Sequence, residues 1–204
     1  MDIRKDYRGR TVLVAAACQD PGPDLVYALA EAGARVVAMD PSEEGLAALA
    51  EDFPDRIEPL IMPLDSTEIL NLLGKSWGDE PVHLLVNLLP LITPSQPGRD
   101  TRRTLALFRS LARGLVKGRG SVVTMLRRTD EPFALKEHAS LGATLAVQYA
   151  LSDVFGPRNV RINSLAMQSD TDPEAAIAPA MFLGSRLSQG ISGAVIDINT
   201  PPGS

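Results

Sequence analysis

Thr11-Val-Leu-Val-Ala-Ala-Ala17 is the stretch that decides the fold, because an apolar run this short is typical of a buried parallel strand. The turn Gln19-Asp-Pro-Gly-Pro23 follows it. Apolar residues then recur at helical spacing from Asp24 until Gly33 ends the helix. A second strand is predicted over Arg35–Asp40. A strand, a helix and a strand at this spacing predict a right-handed crossover between two parallel strands.

The same alternation of strand and helix continues along the rest of the chain. Pro59 and Pro63 place the third strand nearer an edge of the sheet. No linker or internal repeat interrupts the pattern, so we expect one domain over residues 1–204. The predicted fold class is α/β, with a single doubly wound parallel sheet flanked by helices. Further strands are predicted over 56–64, 82–88, 121–126, 160–165 and 194–198, and helices over 43–52, 67–75, 101–117, 136–155 and 173–187.

The composition argues against several classes of function. The 204 residues carry a net charge of −5 and contain no long basic run, which argues against nucleic acid or an anionic membrane as the main partner. No apolar stretch reaches the roughly 20 residues that a transmembrane helix requires. The single Cys18 cannot close an intrachain disulfide, and it forms no metal-ligand pattern with the two distant histidines. We therefore expect a cytoplasmic protein without a bound metal.

Five framework segments carry a family resemblance: Ala28-Leu-Ala-Glu-Ala-Gly-Ala-Arg-Val-Val37, Gly120-Ser-Val-Val123, Ala139-Ser140, Asn159-Val-Arg-Ile-Asn163 and Ile191-Ser-Gly-Ala-Val-Ile-Asp197. In this order and at this separation they resemble the short-chain dehydrogenase/reductase (SDR) family over nearly the whole chain. The resemblance implies a Rossmann-like sheet. It also implies a shortened C-terminal substrate region, because little chain stands where the family has a long lid.

The turn that holds the cofactor in this family is altered here. SDR enzymes carry Thr-Gly-x-x-x-Gly-x-Gly, whose bare backbone meets the dinucleotide pyrophosphate at a helix N-terminus. The matching positions are Ala15, Ala16, Asp20 and Gly22, so only the last glycine remains. A carboxylate at Asp20 would repel a phosphate about 5 Å away by about 3 kcal/mol per unit charge at an effective dielectric of about 20. The prolines on either side of Gly22 also lack N–H donors.

Three further positions correspond to the family's cofactor site. Asp40 matches a ribose ligand, but a strand-end or helix-capping carboxylate is the interpretation we favour. Asp65 falls near the adenine pocket, and we expect it to cap the helix that follows. Asn87 is retained, but we expect a structural role for it, because Leu88-Leu-Pro90 is bulkier than the family's sequence there. We therefore expect no nucleotide cofactor, with NAD(H) or NADP(H) bound only under an alternative interpretation.

The family's catalytic residues are also replaced. SDR enzymes use a tyrosine hydrogen-bonded by a serine, and a lysine four residues later lowers the pKa of the tyrosine. The positions that correspond to serine, tyrosine, lysine and the asparagine of the family's proton relay are Arg127 (or Leu126), Glu137, Leu141 and Arg103. No residue of the ordinary SDR catalytic set is therefore expected in this chain.

Glu137 and His138 are the remaining candidates for general acid–base catalysis. Successive residues of a helix point about 100° apart, so the two would not readily face one substrate. His83, before an apolar strand, is expected to be structural. Two alternatives stay open. One is an enzyme or binder that reuses a cleft beside Glu137, Asn87 and Arg127 for another ligand; the other is an NAD(P)-dependent oxidoreductase with atypical site residues.

The helix over 136–155 is apolar on more than one face, which favours a protein partner. In SDR proteins the matching helix and the one before it, here over 101–117, form the subunit interface. We therefore expect a non-catalytic (pseudoenzyme) subunit that pairs with a catalytic SDR paralogue, or with itself as a dimer, tetramer or scaffold. The expected interface residues are Ala139, Gly142, Ala143, Ala146, Val147 and Ala150.

Overall fold

One parallel sheet of seven strands forms the centre of the protein, as a computed structural model of residues 3–92, 96–168 and 171–198 describes it. The strands are β1 (Thr11–Ala15), β2 (Arg35–Asp40), β3 (Ile57–Ile61), β4 (Leu84–Asn87), β5 (Ser121–Arg127), β6 (Arg161–Met167) and β7 (Val195–Ile198). They lie in the order β3-β2-β1-β4-β5-β6-β7. The order reverses between β1 and β4, and in open sheets of this kind the crevice for ligands lies there, at the carboxyl ends of the strands.

Helices cover both faces of this sheet. The α-helices are α1 (Gly22–Glu31), α2 (Glu43–Glu51), α3 (Thr67–Trp77), α4 (Pro97–Gly118), α5 (Leu135–Phe155) and α6 (Ile177–Gly184). Helix α4 packs between α3 and α5 on one face, while α1 contacts α2 and α6 on the other. The predicted doubly wound α/β fold is thereby confirmed. None of the helices in the described ranges is long and apolar enough to cross a lipid bilayer.

The ends of several elements, β1, α4 and α6 among them, differ from the sequence prediction. Strand β1 stops at Ala15 because Ala16 takes a positive φ of 62°, which no strand accommodates. Helix α4 begins at Pro97 instead of Thr101, since the first turn of a helix does not need the N–H that proline lacks. The segment predicted as one helix over 173–187 is α-helical only over α6, with a 3-10 turn on each side.

The positions of two strands follow from their residues. Strand β3 forms one edge of the sheet, as Pro59 predicts. Strand β4 lies at the centre, and a close backbone approach fixes its start. A Cβ atom on Gly118, the last residue of α4, would lie 2.2 Å from the carbonyl oxygen of Val82. Only glycine therefore lets α4 end against the chain that enters β4.

Replacing this glycine tests the close approach. We expect Gly118→Ala to lower the free energy of unfolding by about 1–3 kcal/mol, because backbone must move to admit the methyl group. Gly98→Ala on the same helix is the matched control, since a Cβ atom there meets nothing within 4 Å. The control should change stability by less than about 1 kcal/mol, in the stabilising direction that helix propensity favours. Urea denaturation measures both variants, and equal effects would contradict the packing argument.

Candidate active site

The turn after β1 directs its backbone donors into the protein. The N–H groups of Ala16 and Ala17 both donate to the carbonyl oxygen of Met39, at 2.9 and 3.1 Å. The Cys18 N–H donates to Oδ2 of Asp40 at 3.1 Å. The Gln19 N–H turns back to the carbonyl oxygen of Ala16 at 3.0 Å. These donors are therefore committed to the fold of the turn itself.

The space above this turn is also occupied. A Cβ atom on Gly22 would lie 2.3 Å from the carbonyl oxygen of Ala17 and 3.1 Å from Cδ1 of Leu88. The retained glycine thus serves a close approach of the turn to itself. Asp20, in the same turn, is exposed. The turn does not fit a dinucleotide pyrophosphate held by backbone N–H groups in the way that the family resemblance implies.

Asp40 closes the same turn from the end of β2. Its Oδ1 accepts the Ser42 N–H at 3.0 Å, and its Oδ2 accepts the Cys18 N–H. The cap of α2 is Ser42, whose Oγ accepts the Gly45 N–H at 3.1 Å. Burial, together with the Asp40 charge, raises the pKa of the Cys18 thiol to about 11. Cys18 therefore stays a protonated thiol at neutral pH and is a poor nucleophile.

The predicted capping role of Asp65 is wrong. The Oγ of Ser66 accepts the Ile69 N–H at 3.3 Å and caps α3, while Asp65 is exposed one residue earlier. Either residue type suits an N-cap, and the start of the helix at Thr67 decides between them.

Asn87 is held by internal hydrogen bonds at the end of β4. Its side-chain amide donates to the hydroxyl oxygens of Thr104 and Thr124, at 3.3 and 3.5 Å. Its Oδ1 accepts the Leu89 N–H at 3.2 Å. It borders an interior cavity of about 10 Å³, which is no larger than a water site. The chain after it buries Leu88, Leu89 and Pro90.

Arg103, at the family's relay position, belongs to a buried network centred on Asp100. Its guanidinium donates to Oδ1 of Asp100 at 2.7 Å and to the carbonyl oxygen of Leu89 at 3.2 Å. The other oxygen of Asp100 accepts the Ser140 hydroxyl at 2.9 Å and the Gln96 N–H at 2.8 Å. Asp100 is fully buried, and Arg103 is 4% exposed. Sequence reasoning did not identify Asp100, because nothing in its local pattern sets it apart from a solvated helix charge.

A small pocket of about 30 Å³ lies beside this network, at the carboxyl end of β5. It brings together three of the four family positions, namely Arg127, Glu137 and Leu141. Glu137 is half-buried and Arg127 is exposed. The remaining lining residues are Pro90, Leu126, Thr129, Ser140 and Thr144.

His138 does not take part in this pocket. It is exposed, and its Nε2 lies 3.1 Å from the carbonyl oxygen of Glu131. The two candidates for acid–base catalysis are thus separated, as their adjacent positions on a helix predict. His83 accepts the Thr11 N–H through Nδ1 at 3.1 Å, at the opposite end of the sheet.

The small residues of α5 divide between two environments. Ala139, Gly142, Ala146 and Ala150 are exposed, while Ala143 and Val147 are half-buried against the protein. Large apolar side chains continue the exposed face of α5. They are Leu135, Tyr149 and Val154, which are 71%, 51% and 53% exposed.

No family model matches the sequence. The chain is 29% identical to L-xylulose reductase of Bos taurus over 183 residues, which cover 81% of this chain and 72% of the relative. It is 28% identical to carbonyl reductase (NADPH) 2 of Sus scrofa over 182 residues, which cover 80% of this chain and 72% of the relative. The fold matches the crystal structure of a hydroxysteroid dehydrogenase from Escherichia coli with a TM-score of 0.82 and 18% identity, over 97% of this chain and 98% of that one.

These similarities support the resemblance to the SDR family. The prediction of a non-catalytic pseudoenzyme subunit is wrong, because the relatives that match most of the chain are named as reductases. The prediction of no cofactor is wrong for a related reason, since one of these relatives carries NADPH in its name. The error arose from treating the loss of motif residues as a loss of activity.

Removing the Asp100 carboxylate tests whether it supports the site. We expect Asp100→Ala to lower the free energy of unfolding by about 3–5 kcal/mol, because the Arg103 guanidinium is left buried without its counter-charge. Asp79→Ala is the control, since Asp79 pairs with Arg113 at 2.6 Å where both side chains are more than half exposed. The control should cost less than about 1 kcal/mol. Chemical denaturation compares the two, and a cost below 1 kcal/mol at Asp100 would contradict a supporting role.

Proposed function

We propose that this protein is an SDR-type oxidoreductase with atypical site residues, which interconverts a carbonyl compound and an alcohol and depends on NAD(P)(H). The observation that carries the proposal is the similarity to named reductases over about four-fifths of the chain. A small pocket at the family's catalytic position, which Arg127 and Glu137 line, adds support. The nucleotide would have to be held by contacts other than the backbone donors of the turn after β1, since these are committed.

Glu137 is the residue that we assign to proton exchange with the substrate oxygen. It lines the pocket at the position of the family's tyrosine, and a carboxyl group positioned there can accept a proton from a hydroxyl group or return one to it. No other carboxylate lines this pocket among the described residues. At about 30 Å³ the pocket admits the reacting oxygen and not a whole substrate, so the rest of the substrate lies outside it.

Arg127 supplies the positive charge of this site. The lysine of the family is replaced by Leu141, so the pocket has lost a cation at one position and gained one at the serine position. A guanidinium beside a carbonyl oxygen stabilises the negative charge that develops there during reduction. Arg127 and Glu137 therefore have complementary roles. Arg127 stabilises the developing negative charge on the substrate oxygen, and Glu137 exchanges a proton with it.

The first test is a titration with NADPH and NADH, followed by assay of L-xylulose and other small carbonyl compounds for nucleotide oxidation. We expect a dissociation constant below about 100 μM for one nucleotide, which corresponds to about −5.5 kcal/mol. Glu137→Gln should lower kcat by about 10²- to 10⁴-fold, the range of general acid–base catalysis.

His138→Gln is the matched control, because His138 neighbours Glu137 in sequence and lies outside the pocket. It should leave kcat within about twofold of the parent value. If neither nucleotide binds at millimolar concentration, the oxidoreductase proposal fails. If nucleotide binds and Glu137→Gln retains full activity, the assignment of Glu137 fails and the activity stands.

We further propose that a second copy of the chain packs on the exposed face of α5. The face carries small residues that permit close approach of helices, flanked by exposed large apolar side chains. Ala146→Arg should convert an oligomer into a monomer without loss of secondary structure, because a charged side chain would be buried between the two helices. Analytical ultracentrifugation and circular dichroism measure the two effects, and an oligomer that persists would place the interface elsewhere.

A further inference from the structure

A second and larger cleft lies at the amino end of the sheet, opposite the candidate active site. Its volume is about 710 Å³, which lies within the range of small-molecule binding sites. The chain just before β1, β4, β5 and β6 forms one side of it, and the end of α6 with the segment that follows it, residues 184–192, forms the other. Because these segments lead into four different strands of one sheet, the fold itself brings them together.

The cleft is strongly basic. Five arginines line it, and Asp6 is the only acidic residue among the lining residues. With His83 neutral, the lining carries four net positive charges, although the whole chain carries a net charge of −5. The arginines are Arg8, Arg10, Arg119, Arg161 and Arg186.

Hydrogen bonds hold three of these arginines in place. Asp6 accepts from Arg10 at 3.3 Å and from Arg186 at 2.6 Å. Arg161 donates to carbonyl oxygens of the segment after α6, that of Ser188 at 3.0 Å and that of Ser185 at 2.9 Å. One carboxylate therefore serves two guanidinium groups, and the third arginine is bound only by neutral acceptors.

The other two arginines offer their charge to a ligand. Arg8 and Arg119 are exposed, and neither has a carboxylate partner among the described residues. His83 adds a neutral donor, because its Nδ1 accepts the Thr11 N–H and its proton must then reside on Nε2. Burial and the Arg10 charge both lower the pKa of His83, so the ring stays neutral at pH 7.

Repulsion among these charges is not fully balanced within the protein. Burial lowers the pKa of Arg10, and the neighbouring Arg186 lowers it further, against the opposing effect of Asp6. Burial also lowers the pKa of Arg161, and Arg10 adds to that effect. An anion in the cleft would relieve this repulsion, and guanidinium groups are the side chains best suited to bind phosphate or carboxylate oxygens in pairs.

We propose that the amino-end cleft binds a small polyanion, a phosphorylated or polycarboxylate metabolite with two to four negative charges. The site is separate from the oxidoreductase site, which lies at the carboxyl ends of the strands. The arrangement supports a ligand that the half-buried Arg10 and Arg161 receive at the base of the cleft and that the exposed Arg8, Arg119 and Arg186 approach from the rim.

Isothermal titration calorimetry with pyrophosphate and with citrate, at constant ionic strength set by sodium chloride, tests the proposal. We expect one of the two probes to bind with a dissociation constant below about 1 mM. Stronger binding of pyrophosphate would assign the site to phosphorylated ligands, and stronger binding of citrate would assign it to polycarboxylates. Arg8→Ala and Arg119→Ala should each weaken binding about tenfold, which is the usual loss for one charged hydrogen bond.

Arg102→Ala is the matched control. Arg102 is also an exposed arginine, but it lies near the start of α4, about 25 Å along the helix from Arg119. It should leave both affinities unchanged. Absence of binding by both probes at 10 mM, or equal weakening by Arg102→Ala and Arg119→Ala, would overturn the proposal. The kcat of nucleotide oxidation and the KM for NADPH should be unaffected by Arg119→Ala, because turnover reports only the site at the carboxyl ends of the strands. Failure at either end of the sheet can therefore be distinguished from failure at the other.

Discussion

The buried carboxylate of Asp100 is the interaction on which the candidate active site depends. It joins the first turn of α4 to Arg103, and Arg103 in turn holds the carbonyl oxygen of Leu89 after β4. Through Ser140 it also fixes α5 one turn beyond Glu137. Two walls of the pocket, the chain after β4 and helix α5, therefore share one fixed point. The buried Asp100 charge is stable because each of its oxygens has a hydrogen-bonding partner.

The fold could be predicted from the sequence because its signals are local and consistent. The apolar run at Thr11 and the helical spacing that ends at Gly33 each predict a single element, and their alternation predicts a parallel sheet. Errors arose where one residue decides a boundary. Ala16 ends a strand by its positive φ, and Pro97 begins α4 four residues before the predicted start, at a position where helices accept proline. Neither boundary can be placed from the sequence alone, because each depends on which backbone N–H and C=O groups find hydrogen-bond partners in the folded protein.

The site was less predictable, for a different physical reason. The positions of Arg127, Glu137 and Leu141 followed from the family resemblance, and the structure brings them to one pocket. The role of Asp100 did not follow, because its three partners come from the chain before α4, from α4 and from α5. Nor did the basic cleft, whose arginines lie between residues 8 and 186 and form no run in the sequence. Residues that meet only in the tertiary structure do not form a motif of fixed spacing in the sequence.

The two ends of the sheet also differ in the groups that they present to an anion. At the carboxyl end the turn after β1 satisfies its own donors, and Asp40 takes part in that closure, so this turn offers little to an anion. At the amino end the fold instead gathers guanidinium groups and leaves their mutual repulsion only partly offset by Asp6. A parallel sheet presents both ends to solvent, and loops at either end can be changed without disturbing the strands between them. Loss of the glycine-rich turn therefore removes one way of binding phosphate and does not decide whether the protein binds anions, because that capacity can lie at the other end of the same strands.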